Sequence, residues 1–235
     1  MRTNLAQYRL QQVFLNYPFD DDFEHLGLAM HFAVIASGLI PVCARDLTSP
    51  DRPRLEMLVH AIDNCHLSAH DFSRLTGEGE LNFARFNMPV EMGMALFHAL
   101  QTQRNEHRCA FFVQAAHDYR IAASDLAGLD PISYENDEFS LLTSVYEWLR
   151  DSVQNPMTTP VASALVRESY RRVRAEMDTI DGSGRNGAPN HNEVQELMYV
   201  ICSNCGWWDW RENRAGQLEF RQVPLTRRGQ SDGAE

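Results

Sequence analysis

Short apolar segments alternate with amphipathic segments over the first 155 residues, and this alternation is the feature that most restricts the fold. Strands are predicted at 12–17, 39–44, 65–71, 108–113 and 131–134, and helices at 22–37, after Pro53, from Pro89 to about 101, at 119–127 and at 137–150. Strands that alternate with helices at this spacing form parallel sheets. The sequence therefore predicts an α/β fold, with a flavodoxin-like parallel sheet of four or five strands and helices on both faces.

The alternation stops after Asn155-Pro156, and the pattern becomes mainly helical. Two helices are predicted at 161–180 and 192–203, followed by a hairpin between 207 and 223. We therefore divide the chain into a domain at 1–155, a helical appendage at 156–225 and a disordered tail at 226–235. Two roles remain open for the appendage. It either controls assembly and partner contact, or covers an apolar face of the sheet's helices.

Composition excludes several classes of protein. The formal net charge is −11, which argues against a general nucleic-acid-binding surface. The chain contains no lysine, which excludes P-loop and Schiff-base chemistry. No apolar run is long enough to cross a bilayer, and residues 1–10 lack a signal-peptide core. The five cysteines show no framework spacing, so free thiols in a reducing cytoplasm are expected.

The stretch from Arg85 to Ala95 is predicted to be a loop that turns into a helix. Pro89 suits the first helical position, and Glu91 then falls in the first turn, where the helix dipole favours an ionised carboxylate. Gly93 and Ala95 keep the next turn slim enough for a ligand or another chain to approach. Glu91 is therefore a candidate nucleophile or stabiliser of positive charge. The alternative is that Glu91 only completes a capping box at the third helical position.

Polar residues recur where the predicted strands end. In parallel sheets, ligands bind beyond the carboxyl ends of the strands. Six residues follow a strand end or begin the next helix: Tyr17, Asp20, Arg45, Asp71, Ser73 and Glu91. We predict that Tyr17, Asp71 and Glu91 line one crevice there.

Two segments match known binding motifs but lack the neighbouring structure or ligands that those motifs require. The segment Gly182–Gly187 matches G-x-G-x-x-G but follows a helix instead of a strand, so it is interpreted as a linker. Cys202 and Cys205 have no second cysteine pair, and His191 is a poor further ligand for them, so both thiols are interpreted as structural and no metal is expected. The tryptophans at 207, 208 and 210 are expected to pack the appendage onto the core or another subunit.

Three segments carry a resemblance to a known family. They are Asn16–Phe23 (NYPFDDDF), His70–Arg74 (HDFSR) and Arg85–Gly93 (RFNMPVEMG). In this order they resemble the bacterial TIR-like and nucleoside 2-deoxyribosyltransferase-like superfamily, over about the first two-thirds of the chain. The first segment is similar to the first TIR box. The pattern Asn-x-x-x-Glu-x-Gly-x-Ala resembles the transferase segment that carries a nucleophilic glutamate.

The resemblance implies a set of site residues. Glu91 is the implied nucleophile, Asp71 a ribose or base contact, and Tyr17 a residue near the nucleophile. The candidate substrate-binding residues are Asp20, Arg45, Ser73, Arg74, Arg85 and Asn87. Of these, the three arginines are the groups able to hold a pyrophosphate bidentately.

Three functions remain open. The first is hydrolysis of the N-glycosidic bond of NAD⁺ or a related nucleotide, with NAD⁺ as substrate and no cofactor; by resemblance such enzymes are often bacterial anti-phage effectors. The second is a non-catalytic nucleotide-sensing or assembly module, and the third a nucleoside 2-deoxyribosyltransferase. The implied partner is a second copy of the chain or a defence-system protein, without membrane contact.

Overall fold

A five-stranded parallel sheet forms the centre of the protein. The computed structural model describes residues 12–47, 49–73, 87–102, 107–114, 129–153, 161–182, 190–205, 208–212 and 218–222. The strands are β1 (Gln12–Asn16), β2 (Ile40–Cys43), β3 (Leu67–Asp71), β4 (Arg108–Gln114) and β5 (Ile132–Tyr134). They lie in the order β2-β1-β3-β4-β5, and every neighbouring pair is parallel. This is the flavodoxin-like order, and the predicted fold class is confirmed.

Helices cover both faces of the sheet. They are α1 (Glu24–Ala36), α2 (Arg54–Asn64), α3 (Asn87–Gln101) and α4 (Glu138–Ser152). Right-handed crossovers in this strand order place α1 on one face and α2 and α3 on the other. Helix α4 follows β5 and packs against α1. The core agrees, because alternate residues of β1 belong to different clusters. Val13 and Leu15 pack with α1, whereas Phe14 packs with Leu58 and Ile62 of α2.

Two further helices cover the outer side of α1. They are α5 (Ser163–Gly182) and α6 (His191–Asn204), and a hairpin of β6 (Trp208–Glu212) and β7 (Leu218–Gln222) follows. Tyr170 of α5 is fully buried, with its ring 5.4 Å from that of Phe32. Val194 and Met198 of α6 join the same core. Because α1 is enclosed by the sheet, α4, α5 and α6, nearly all its residues are apolar and buried.

Element ends differ from the predictions by a few residues. A 3₁₀ turn at Asp21–Phe23 precedes α1, and Gly38 follows the helix with a φ of 74°, as is common for a glycine that ends a helix. Pro41 is accommodated because β2 is an edge strand. Strand β3 begins at Leu67, two residues later than predicted, because the Cys65 amide closes the last turn of α2.

Several predictions lie outside the described residues. They concern the helix at 119–127, the loop at 77–82, the linker after Gly182, the tail at 226–235 and the packing of the tryptophan side chains. Among the helices that the structure describes, none is sufficiently long and apolar to cross a membrane.

Candidate active site and an adjoining cavity

Glu91 occupies a different helical position from the predicted one. Helix α3 begins at Asn87, so Glu91 is its fifth residue and Pro89 its third. Pro89 still lies in the first turn, where a missing N–H costs nothing. Because a capping box needs the acidic side chain at the third position, the capping interpretation of Glu91 does not fit this helix.

The start of α3 is fixed to the end of β1 by a buried hydrogen bond. Asn16 Nδ2 donates to the Met88 carbonyl oxygen at 2.9 Å. In the order β2-β1-β3-β4-β5, the strand that follows β1 in the sequence lies on one side of it, and all later strands lie on the other side. The position between β1 and β3 is therefore the strand-switch point of the sheet. Ligands of such sheets bind at this point, outside the carboxyl ends of the strands. The Asn16 contact therefore places the first turn of α3, and Glu91 one turn later, beside the expected ligand crevice.

The Glu91 carboxyl group is largely removed from solvent. The residue is 5% exposed, and burial raises its pKa to about 7, while the positive charge of Arg54 lowers it in part. Arg54 begins α2 and donates a hydrogen bond to the Ala44 carbonyl oxygen at 3.1 Å. The helix dipole was expected to favour the ionised form of Glu91, whereas burial favours the protonated form. Burial outweighs the helix dipole, whose effect is confined to the first turn.

A chain of buried polar groups extends from Asn16 through His70 and Ser68 to His107. Asn16 Nδ2 lies 3.0 Å from His70 Nδ1, and His70 Nε2 lies 2.9 Å from Ser68 Oγ. Ser68 Oγ is in turn 2.9 Å from His107 Nε2, and His107 Nδ1 lies 2.8 Å from the Cys65 carbonyl oxygen. Burial, with a smaller effect of His107, lowers the pKa of His70 to about 3, so this ring is neutral. One assignment of protons satisfies every link, with each group donating to the next.

Asp71 is tied into the protein. The residue is fully buried at the end of β3, and its Oδ1 accepts hydrogen bonds from the Ser73 amide at 2.9 Å and from the Ser73 hydroxyl. Its Oδ2 accepts from the Tyr134 hydroxyl at 2.7 Å. Burial, together with the Asp71 charge, raises the pKa of Tyr134, which therefore remains a donor. Asp71 thus binds groups of the protein itself through both of its carboxylate oxygens.

Tyr17 lies on the α1 face of the sheet. Its ring packs directly over Gly27, where an added Cβ would come within 2.5 Å of a ring carbon. The Tyr17 hydroxyl is 3.0 Å from His31 Nε2 of α1. Tyr17 and Glu91 therefore share the carboxyl edge of the sheet but belong to opposite sides of it, which differs from the prediction that they line one crevice.

A cavity of about 260 Å³ adjoins Tyr17 on this face. Its polar lining residues come from four parts of the chain: Tyr17, Asp21, His25, Arg45, Arg174 and His191 are among them. Arg45 is exposed, and its guanidinium carbon lies 4.9 Å from the centre of the Phe19 ring. The volume is slightly below the range of drug-sized ligand pockets.

The remaining predicted site residues have different positions. Asp20 caps the 3₁₀ turn by accepting the Phe23 amide at 2.9 Å. Asn87 is exposed at the start of α3. Arg74 and Arg85 lie outside the described residues. The structure thus brings Asp71 and Ser73 into contact, and places Tyr17 and Arg45 around the cavity on the α1 face.

Sequence reasoning missed a cluster beside that cavity. His31, Cys43 and His191 come from α1, β2 and the start of α6, and their potential ligand atoms all lie within 4.8 Å of one another. The cluster spans about 160 residues of sequence. A buried histidine in an otherwise apolar helix was the one available signal, and it had no visible partner in the sequence.

The fold and the site define an α/β protein with a flavodoxin-like sheet and a buried carboxylate at its strand-switch point. No protein-family model matches the chain, and no curated protein matches it. Among solved structures, the chain is similar to the TIR domains of the activated Roq1 resistosome directly recognizing the pathogen effector XopQ. The two are 12% identical, with a TM-score of 0.37, over 88% of this chain and 92% of the Roq1 chain. The fold assignment here rests on the strand order and not on that similarity.

Proposed function

We propose that the protein hydrolyses the N-glycosidic bond of NAD⁺ or a related nucleotide, with Glu91 as the catalytic carboxylate. One observation carries the proposal. Glu91 is a buried carboxylate on a helix whose first turn is held at the strand-switch point by Asn16. The start of that helix borders the place where ligands of this sheet order bind.

The chemistry needs little beyond such a carboxylate. Breaking the bond between C1′ and the nicotinamide nitrogen returns the electron pair to the ring and neutralises its positive charge. The positive charge that develops on the ribose is then stabilised by Glu91, or captured as a covalent ester at C1′. Water supplies the oxygen that ends on C1′, and its proton leaves to solvent. Because the leaving group is cationic, no strong general acid is required.

The raised pKa of Glu91 sets a condition on this role. With a pKa of about 7, roughly half of the Glu91 side chains are ionised at neutral pH. The ionised form is the catalytic one, because only it stabilises a developing cation. A bound pyridinium ribose favours that form through its own positive charge.

The other predicted residues are assigned to binding and positioning. Arg45 is exposed at the end of β2 and is stacked on Phe19, which suits bidentate contact with a pyrophosphate. Arg74 and Arg85, which lie outside the described residues, remain candidates for the same role, and Asn87 at the start of α3 remains a candidate substrate contact. Asp71, through Ser73 and Tyr134, positions the end of β3.

A second candidate function is nucleotide sensing without turnover. The observation that favours it is the internal hydrogen bonding of Asp71, which leaves the carboxyl ends of β3 and β5 joined to each other. In that case the crevice would bind a nucleotide, and Glu91 would discriminate between ligands by charge. The resemblance in sequence further suggests a setting in bacterial anti-phage defence, with a homo-oligomer or a defence partner.

Incubation of the purified full chain with NAD⁺, and separately with pairs of deoxynucleoside and free base, distinguishes these functions. Release of nicotinamide from NAD⁺ supports the proposal, whereas exchange of bases between deoxynucleosides supports a transferase. Binding of NAD⁺ without release, measured by calorimetry, supports sensing. Glu91→Gln should abolish release, while Glu56→Gln, an exposed glutamate in the first turn of α2, should leave it unchanged.

A further inference from the structure

We propose that His31, Cys43 and His191 form a zinc site that fastens the C-terminal helix α6 to the edge of the sheet. The three side chains converge from α1, from the end of β2 and from the first residue of α6. This inference is independent of the proposed glycosidase activity.

The distances suit one small cation. Cys43 Sγ lies 3.9 Å from His191 Nε2, and the ligand atoms of all three residues are within 4.8 Å of one another. A tetrahedral zinc ion, with bonds of roughly 2.3 Å to sulfur and 2.0 Å to nitrogen, separates its sulfur and nitrogen ligands by roughly 3.5 Å. A movement of a few tenths of an ångström would therefore bring Cys43 and His191 to coordinating distance.

The surroundings supply a fourth donor. Asp46 Oδ1 lies 3.4 Å from His191 Nε2, and Asp46 Oδ2 is held in place by the Cys43 amide, which donates to it at 2.8 Å. The carboxylate is therefore fixed beside the cluster. Gln195 Nε2 lies 3.3 Å from His31 Nδ1 and 2.8 Å from His191 Nε2, so zinc binding at His191 Nε2 requires the Gln195 amide to move off that nitrogen.

The kinds of ligand select the metal. Two imidazoles and a thiolate favour zinc over magnesium and calcium, which prefer oxygen ligands. On binding, Cys43 exchanges its thiol proton for the metal, and that proton leaves to solvent. His31 and Cys43 are 1% and 0% exposed, whereas His191 borders the cavity, so the cavity gives a metal ion its route to the site.

The zinc ion would have a structural role. Residues 31 and 43 belong to the sheet domain, and His191 belongs to a helix that covers α1. The ion would thus link two segments about 150 residues apart in the sequence, and would fix one wall of the cavity lined by Tyr17 and Arg45.

The test measures zinc in the purified full chain after incubation with Zn²⁺ and desalting. We expect about one zinc per chain for the wild type, and loss of most of it in Cys43→Ser and His191→Gln. The matched control is Cys202→Ser, a buried cysteine on α6 outside the cluster, which should keep its zinc. At a free zinc concentration about 100 times Kd, the wild-type Tm should rise by roughly 5–10 °C, with no rise in His191→Gln.

Cobalt gives a readout that does not depend on a variant folding. Co²⁺ bound to the wild type should show a thiolate-to-cobalt charge-transfer band in the near ultraviolet, because Cys43 is a ligand. Absence of that band would overturn the proposal, as would wild-type zinc content no higher than that of His191→Gln. Loss of zinc in Cys202→Ser, with zinc retained in Cys43→Ser, would also overturn the proposal, because the metal would then be bound by Cys202 and Cys205.

Discussion

The side-chain amide of Asn16 donates a hydrogen bond of 2.9 Å to the carbonyl oxygen of Met88. This contact joins the end of the central strand β1 to the first turn of α3, across 72 positions of sequence. It brings the helix that carries Glu91 to the point between β1 and β3 where ligands of this fold bind.

Asn16→Ala should therefore lower both stability and base release. The substitution leaves two buried acceptors, the Met88 carbonyl and His70 Nδ1, without this donor. We expect a loss of about 1–3 kcal/mol in the free energy of unfolding, measured by urea denaturation. Asn64→Ala is the matched control, because its amide donates to the His60 carbonyl on the exposed side of α2. Equal losses in the free energy of unfolding for the two substitutions would contradict a stabilising role for the buried Asn16 hydrogen bond.

A pair of helix glycines tests the packing of Tyr17. An alanine Cβ at Gly27 would lie 2.5 Å from Cε2 of Tyr17, whereas one at Gly93 meets nothing within 4 Å. Gly27→Ala should destabilise the protein by about 1–3 kcal/mol, because the buried ring must move. Gly93→Ala should be neutral or stabilise by up to about 1 kcal/mol, because alanine favours helix. The measurement is urea denaturation of both variants; a stabilised Gly27→Ala would contradict the described contact.

The protonation of Glu91 makes stability depend on pH. Its pKa rises from 4.5 to about 7 on folding, so the native state holds the proton more tightly than the unfolded state. The contribution of Glu91 to stability is therefore fully present below pH 4.5 and is lost as the pH rises towards 7. Glutamine carries no charge at any pH and does not incur this loss. Relative to wild type, Glu91→Gln should gain about 1–3 kcal/mol between pH 5 and pH 8, allowing for partial solvent screening.

Urea denaturation of both proteins at pH 5 and pH 8 measures this gain. Other titrating groups cancel in the difference between the two proteins, provided that they titrate alike in both. Glu56→Gln, on an exposed face of α2, should show no such change with pH. A Glu91→Gln variant that loses stability relative to wild type as the pH rises would contradict the burial of an uncharged carboxyl group.

The positive charge of Arg54 should influence the pH at which Glu91 ionises. Arg54 lowers the pKa of Glu91, in opposition to burial. Arg54→Met removes this charge, so the midpoint of every Glu91-dependent pH profile should move to higher pH. Arg108→Met serves as a comparison, because the Arg108 guanidinium donates to the Ser152 carbonyl, away from Glu91. A midpoint unchanged in Arg54→Met but moved in Arg108→Met would contradict the assignment.

The fold was predictable because it depends on local periodicity. Five apolar runs separated by amphipathic segments restrict the chain to a parallel sheet, and Pro41 is compatible with the edge position of β2. Gly38 likewise marked the end of α1 by its need for a positive φ. Each of these sequence signals is separated by only a few residues from the strand or helix end that it predicts.

The site depends on contacts that no local pattern contains. Whether Glu91 is ionised is decided by burial, and burial is decided by the packing of α3 against the rest of the domain. The hydrogen bonds of Asn16 depend on the register of β1 and β3, in which Asn16 pairs with His70. His191 and Cys43 meet across 148 positions, so the cluster that they form with His31 was not visible in the sequence.

The rate of nicotinamide release from NAD⁺, measured from pH 5 to pH 9, tests the central claim most directly. If ionised Glu91 is the catalytic group, the wild-type rate should rise with pH to a plateau with a midpoint near 7. At pH 8, Glu91→Gln should be slower by about 100- to 1000-fold, without that midpoint. A Glu91→Gln rate within about threefold of wild type at pH 8, or a wild-type rate that falls above pH 7, would contradict the account.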